Sequence, residues 1–134
     1  LESIKETDAD GVGGLYWTKG ECGLPLVLGD PDLYRRTGEL EFRPRDLQPA
    51  LDQNARLVEV NGLPQGCTIF KTDLFRRIPK PWFVTVSDLI PGKGGACFTQ
   101  DLDFCSKAKK LGARFYVDLK VKVGHLDTNT GEVW

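Results

Sequence analysis

The chain has 134 residues, 40% of them hydrophobic and 28% charged, which fits a single globular domain with a real core. Its 18 Lys and Arg are balanced by 19 Asp and Glu, giving a net charge of −1. No basic stripe is present to neutralise a phosphate backbone, so a nucleic-acid partner is not expected. No apolar run approaches the ~20 residues that span a bilayer, and the N-terminus lacks signal-peptide character. The chain starts at Leu1 and contains no Met, which suggests a piece of something longer.

In chain order, residues 1–7 have helical composition. The glycines of Asp10-Gly11-Val12-Gly13-Gly14 lead into a short aromatic strand, Leu15-Tyr16-Trp17. Leu24 to Leu28 is an apolar run that Pro25 marks as an edge. Gly29 to Pro49 is polar and reads as an exposed excursion with a hairpin around Glu39 to Phe42. Leu57 to Val60 and Gly66 to Phe70 read as strands, the first stopped by Asn61-Gly62. A short helix from Thr72 to Arg77 ends before Pro79 and Pro81, because proline supplies no N–H. Val84 to Phe98 reads as a glycine-rich loop; Gly92-Lys93-Gly94-Gly95 within it lacks the spacing of a phosphate loop.

The last third is the most regular. Thr99 is placed to cap a helix running to about Leu111, with Gly112 as its left-handed stop. Leu102, Cys105, Ala108 and Leu111 are its expected buried stripe. From Arg114 to Val123 the residues alternate strictly, with Phe115, Val117, Leu119, Val121 and Val123 on one face. Arg114, Tyr116, Asp118, Lys120 and Lys122 face the other way. Together these elements predict an α/β fold: a mixed sheet with flanking helices.

Four features bear on chemistry. His125, the one histidine, extends the core-facing row of the last strand. It is either a satisfied histidine at a strand end or a metal ligand or acid–base group at a cleft. Asp101 falls in the first turn of the helix after Thr99, where a carboxylate either caps the helix or faces a ligand. Asp103 is expected to be solvated. Asp8-Ala9-Asp10 has the form of a D-x-D metal motif, but no buried strand precedes it, and polar residues at a helix end are the simpler reading. Cys22, Cys67, Cys97 and Cys105 form no C-x-x-C pair, so zinc is not expected. Reduced thiols beside apolar residues suggest a cytoplasmic protein.

The ordered set of segments resembles one family. Gly66-Cys67-Thr68-Ile69-Phe70-Lys71-Thr72-Asp73-Leu74-Phe75, Pro81-Trp82-Phe83, Thr99-Gln100-Asp101-Leu102-Asp103-Phe104-Cys105, Gly112 to Val117 and Val123-Gly124-His125-Leu126 follow one another as in the closing half of A-type nucleotide-sugar glycosyltransferases. Val12-Gly13-Gly14-Leu15-Tyr16-Trp17 resembles the strand after the donor site. The resemblance implies that Asp101 is the general base for an acceptor hydroxyl and that His125 helps hold Mn²⁺ or Mg²⁺ on the donor diphosphate. Gly66, Gln100 and Trp82 become the expected substrate contacts, Trp82 as an aromatic wall for the acceptor sugar or else as a core residue. The implied partners are a nucleotide-sugar donor and a glycan or other hydroxyl acceptor.

Two departures accompany the resemblance. Gln100 stands where the family has Glu. The donor-binding half is absent from these residues and is expected elsewhere in the full-length chain, so that residues 1–134 form one domain resembling half of a catalytic domain. The alternative is a non-catalytic or degenerate glycan-binding or interaction module.

Overall fold

A computed structural model of the chain describes residues 2–18, 23–90, 94–124 and 126–133. The protein is α/β. A mixed four-stranded sheet runs in the order β2 (Leu57–Val60), β6 (Phe115–Lys122), β1 (Gly11–Leu15), β3 (Thr68–Phe70). β1 and β6 are parallel, and β2 and β3 pair antiparallel to them at the two edges.

The central strand β1 is built from the glycines themselves, Gly11 to Leu15, four residues earlier than the aromatic run suggests. Glycine ordinarily weakens a strand, but here the neighbours occupy the space a side chain would need. A Cβ on Gly11 would lie 2.6 Å from Phe70 Cδ1, and one on Gly14 would lie 2.8 Å from Val123 Cγ2. Rings and branched side chains of β3 and β6 therefore lie directly on the β1 backbone.

Beneath that face lies the core: Phe115, Val117 and Leu119 of β6, Leu74 of α4 (Thr72–Arg77), and Phe104, Cys105 and Ala108 of α5 (Gln100–Lys110). Phe70 meets Phe104 at 5.1 Å and Phe75 at 5.9 Å between ring centroids, both edge to face. α5 ends as expected, with Gly112 at φ +82°. Its buried stripe is rotated from the expected one: Phe104, Cys105 and Ala108 are buried, whereas Leu111 is 44% exposed. Leu111 falls just past the last helical residue, Lys110, where the chain leaves the helix, and its side chain is not held on the buried face.

Strand β6 departs from simple alternation in a second way. Val121 is 46% exposed, while Asp118, on the nominally polar face, is only 2% exposed. The cause is α1 (Glu2–Thr7), which covers that face at one point. Ser3 Oγ donates to Asp118 Oδ2 at 2.6 Å, and Arg56 Nε donates to the same oxygen at 3.1 Å.

The polar segment 29–49 contains no hairpin. It holds α2 (Pro31–Thr37) and leads into α3 (Gln48–Asp52). Asp30 caps α2 by accepting the Asp32 N–H, Pro31 opens the helix, and Gly38 closes it at φ +73°. The segment is tied down by Asn61, fully buried, whose Nδ2 donates to the carbonyls of Asp30 and Glu41. Within the span expected as a loop, β4 (Val86–Ile90) and β5 (Gly94–Phe98) form an antiparallel pair of strands. Among the described residues no helix is long and apolar enough to cross a membrane.

Candidate functional site

Strand β1 delivers Tyr16 just past its end, the turn Gln65–Cys67 delivers Gly66, and the start of α5 delivers Gln100 and Asp101. These residues, with Gln65, Thr85 and Thr99, line an open cleft of about 540 Å³. The structure thus brings together three of the residues singled out in the sequence: Gly66, Gln100 and Asp101.

Thr99 flanks α5 with extended backbone (φ −66°, ψ 155°), but its hydroxyl does not cap a backbone N–H. It donates instead to Asp101 Oδ1, which also accepts the Leu102 N–H at 3.0 Å. One carboxylate oxygen is therefore fixed by two donors. No described residue donates to the other, Oδ2. Asp103 is not solvated as expected: its side chain is mostly buried and paired with Lys107 at 2.6 Å, and Lys107 also donates to the Pro81 carbonyl.

Tyr16 was not singled out by its sequence context, yet it occupies the middle of the site. It is 7% exposed, and its phenolic oxygen accepts the Gly66 N–H at 3.1 Å. Burial pushes the phenol's pKa up, the Gly66 N–H acts in the opposite direction, and the nearby Asp101 carboxylate adds to the rise. Tyr16 therefore stays protonated at neutral pH and acts as a hydroxyl. A second cleft of about 220 Å³, lined by Tyr16, Gly66, Val123, Gly124 and Leu126, adjoins the first through the Tyr16–Gly66 pair. His125, the expected metal ligand, lies outside the described residues.

Trp82 is not among the residues lining the cleft. Its ring packs edge to face on Phe75 at 5.3 Å, its Nε1 donates to the Ile78 carbonyl, and Lys80 Nζ lies over its face. These contacts pack it, partly buried, against the core. Asp8 and Asp10 likewise have structural partners. Asp8 is paired with Lys71 at 2.6 Å, while Asp10 accepts from Arg77 Nη1 and from the Arg114 N–H. The two carboxylates serve different elements and form no chelate. Among the described residues no group of three or more His, Cys, Asp or Glu could hold a metal ion, so they do not by themselves fit Mn²⁺ or Mg²⁺. Cys67 and Cys105 are free thiols.

No known family's sequence pattern matches the chain, and no curated protein is significantly similar to it in sequence. In structure it is similar to A197 from STIV, a viral protein, with a TM-score of 0.57 and 20% identity. The match covers 98% of this chain and 54% of A197, so the chain spans about half the length of that protein and shares its fold over that part.

Proposed function

We propose that this chain supplies the acceptor side of a nucleotide-sugar glycosyltransferase. The observation that carries the reading is the state of Asp101. One oxygen is locked by Thr99 and the Leu102 N–H, and the other has no donor among the described residues, at a cleft shared with Gly66 and Gln100. A carboxylate held in this way is placed to act as a general base. Its free oxygen takes the proton of an acceptor hydroxyl while that oxygen attacks the anomeric carbon and the bond to the nucleotide diphosphate breaks. The lost proton stays on Asp101 until solvent removes it. Such a base suits inverting transfer.

The same reading assigns His125 to the divalent cation on the donor and requires donor-binding residues from a further α/β region of the enzyme. The chemistry derived from this chain rests on Asp101 and its neighbours alone. The test is transfer by the full-length gene product from UDP- and GDP-sugars with Mn²⁺. Asp101→Asn should lower turnover by roughly 10²- to 10⁴-fold. Undiminished turnover would remove the base assignment.

One observation favours a second reading, a non-catalytic glycan-binding module. The Asp101 contact to the Leu102 N–H also satisfies the first turn of α5, so the residue has a structural use of its own. Glycan binding with no turnover of any nucleotide-sugar would select that reading.

A further inference from the structure

We infer that the cleft beside Asp101 selects an uncharged polyhydroxy ligand, with the Tyr16 hydroxyl as the specificity-determining donor, and that it rejects phosphorylated or carboxylated sugars. This deepens the transfer reading by naming the acceptor class.

The inference begins with charge. The cleft is lined by Tyr16, Gln65, Gly66, Thr85, Thr99, Gln100 and Asp101. One of these is anionic, and no lysine or arginine is among them. The N-terminus of α5 offers about half a positive charge, but the Asp101 carboxylate sits on that same first turn with a full negative one. Among the described residues the lining therefore carries net negative charge, and an anionic ligand would meet a like charge there.

Hydrogen-bond inventory narrows the class further. The Tyr16 oxygen already accepts the Gly66 N–H, and no described residue accepts its proton. Its raised pKa keeps that proton in place. A phenol whose acceptor side is engaged and whose donor side is free asks for an acceptor. Gln65 lines the same cleft, and its amide nitrogen is buried without a partner among the described residues. A donor left in that state is destabilising, and a ligand oxygen that the amide turns to meet removes the cost. The same cleft holds the free oxygen of Asp101, which only accepts. An ammonium group could satisfy Asp101 but gives Tyr16 nothing to donate to. A phosphate could satisfy Tyr16 but repels Asp101. A row of hydroxyls, each both donor and acceptor, satisfies all three.

The test is binding to the chain, followed through the Gly66 amide by NMR. The probes are the methyl glycosides of glucose, galactose and mannose, beside glucose, galactose and mannose 6-phosphates. At least one neutral glycoside should shift the Gly66 resonance, and its phosphorylated counterpart should bind at least fivefold more weakly. Tyr16→Phe should weaken the neutral glycoside about threefold to tenfold. Because Tyr16→Phe also deprives the Gly66 N–H of its partner, Thr85→Lys serves as an independent variant. Thr85 is exposed on the cleft wall, and a cation there should improve sugar phosphate binding severalfold. A phosphate that binds as well as the neutral sugar in the unaltered protein would overturn the inference. So would a Tyr16→Phe variant that binds like the parent, a Thr85→Lys variant with unchanged preference, or a panel in which nothing shifts Gly66. Glycoside binding without turnover by the full-length product would defeat sugar transfer and leave this inference standing. Turnover that uses phosphorylated and neutral acceptors equally would do the reverse.

Discussion

Gly66 donates its N–H to the phenolic oxygen of Tyr16 at 3.1 Å, and the same closeness means that a side chain at position 66 would push the phenol aside. A Cβ there would lie 3.1 Å from that oxygen and 3.2 Å from the ring carbon bearing it. The pair forms the partition between the two clefts, so its spacing sets where a ligand meets the Asp101 wall.

Gly66→Ala should therefore displace the phenol by a few tenths of an ångström and leave the fold intact. Ligand binding or acceptor use should fall roughly threefold to tenfold, because a reacting group held slightly off its position loses much of its advantage. The thermal midpoint should move little. Binding by calorimetry beside a melting curve checks both halves. Unaltered binding would mean that Tyr16 does not shape the site.

Gly29 offers a contrast in magnitude. It sits at φ +79°, and a Cβ there would lie 2.3 Å from the Glu41 carbonyl oxygen and 2.6 Å from Asn61 Cβ. Gly29→Ala incurs both the left-handed penalty and a backbone clash, together about 2–4 kcal/mol. Urea denaturation should show a large loss of stability, whereas Gly38→Ala, also at positive φ but with open space around it, should cost only about 1–2 kcal/mol.

Asp118 predicts a pH dependence. Burial alone would raise its pKa, but the Ser3 hydroxyl, the Lys120 N–H and Arg56 outweigh it and hold the carboxyl below its ordinary value. A depressed folded value means that Asp118 stabilises the protein above the unfolded carboxylate pKa of about 3.9. That contribution disappears as pH falls through the lower, folded value. Asp118→Asn should cost about 1–3 kcal/mol at neutral pH, with the gap to the parent narrowing in acid. Urea titrations at neutral and acidic pH give the comparison; a gap that does not change with pH would contradict the assignment.

The thiols of Cys67 and Cys105 should differ in reactivity. Cys105 is fully buried, accepts the Leu63 N–H, and is pushed up to about 12 by burial. Since the thiolate is the reactive form, Cys105 should resist alkylation in the native state. Cys67 is partly exposed. Mass spectrometry after brief iodoacetamide treatment should find Cys67 modified and Cys105 spared until the protein is denatured. Modification of Cys105 at the rate of Cys67 would place it outside the core.

What the sequence made legible follows from where local signals act alone. Helix α5 and strand β6 are signalled by consecutive residues and stand where expected, although the Thr99 hydroxyl turns to Asp101 instead of capping and the buried faces differ in detail. The α2 helix was also encoded locally, by Asp30-Pro31 at its start and Gly38 at its end, but the polar composition around it obscured the pattern. Asp101 could be picked out because a loop-to-helix junction is informative, whereas Gly66 was named only through the family resemblance. Tyr16 could not. Its importance comes from a contact with Gly66 fifty residues away, and in the sequence it reads only as one aromatic in a strand. The burial of Asp118 was illegible for the same reason: alternation predicts which face a residue is on, not that Ser3 of a distant helix will cover it.

The parallel pairing of β1 and β6 breaks once. Gly14 stands opposite Asp118, but the next residue, Leu15, stands opposite Lys122, so Leu119, Lys120 and Val121 have no partner on β1. Leu119 instead donates its N–H to the Arg56 carbonyl, and Val123 returns to donate to Leu15. The unmatched stretch works as slack in a tape. It lets the end of β6 arrive beside Tyr16 without dragging the whole strand along. Removing one residue from it would leave Phe115 to Val117 seated and turn Gly124 away from the cleft. Evolution or a designer could thus retune the site's far wall by changing the length of this stretch, with the core untouched.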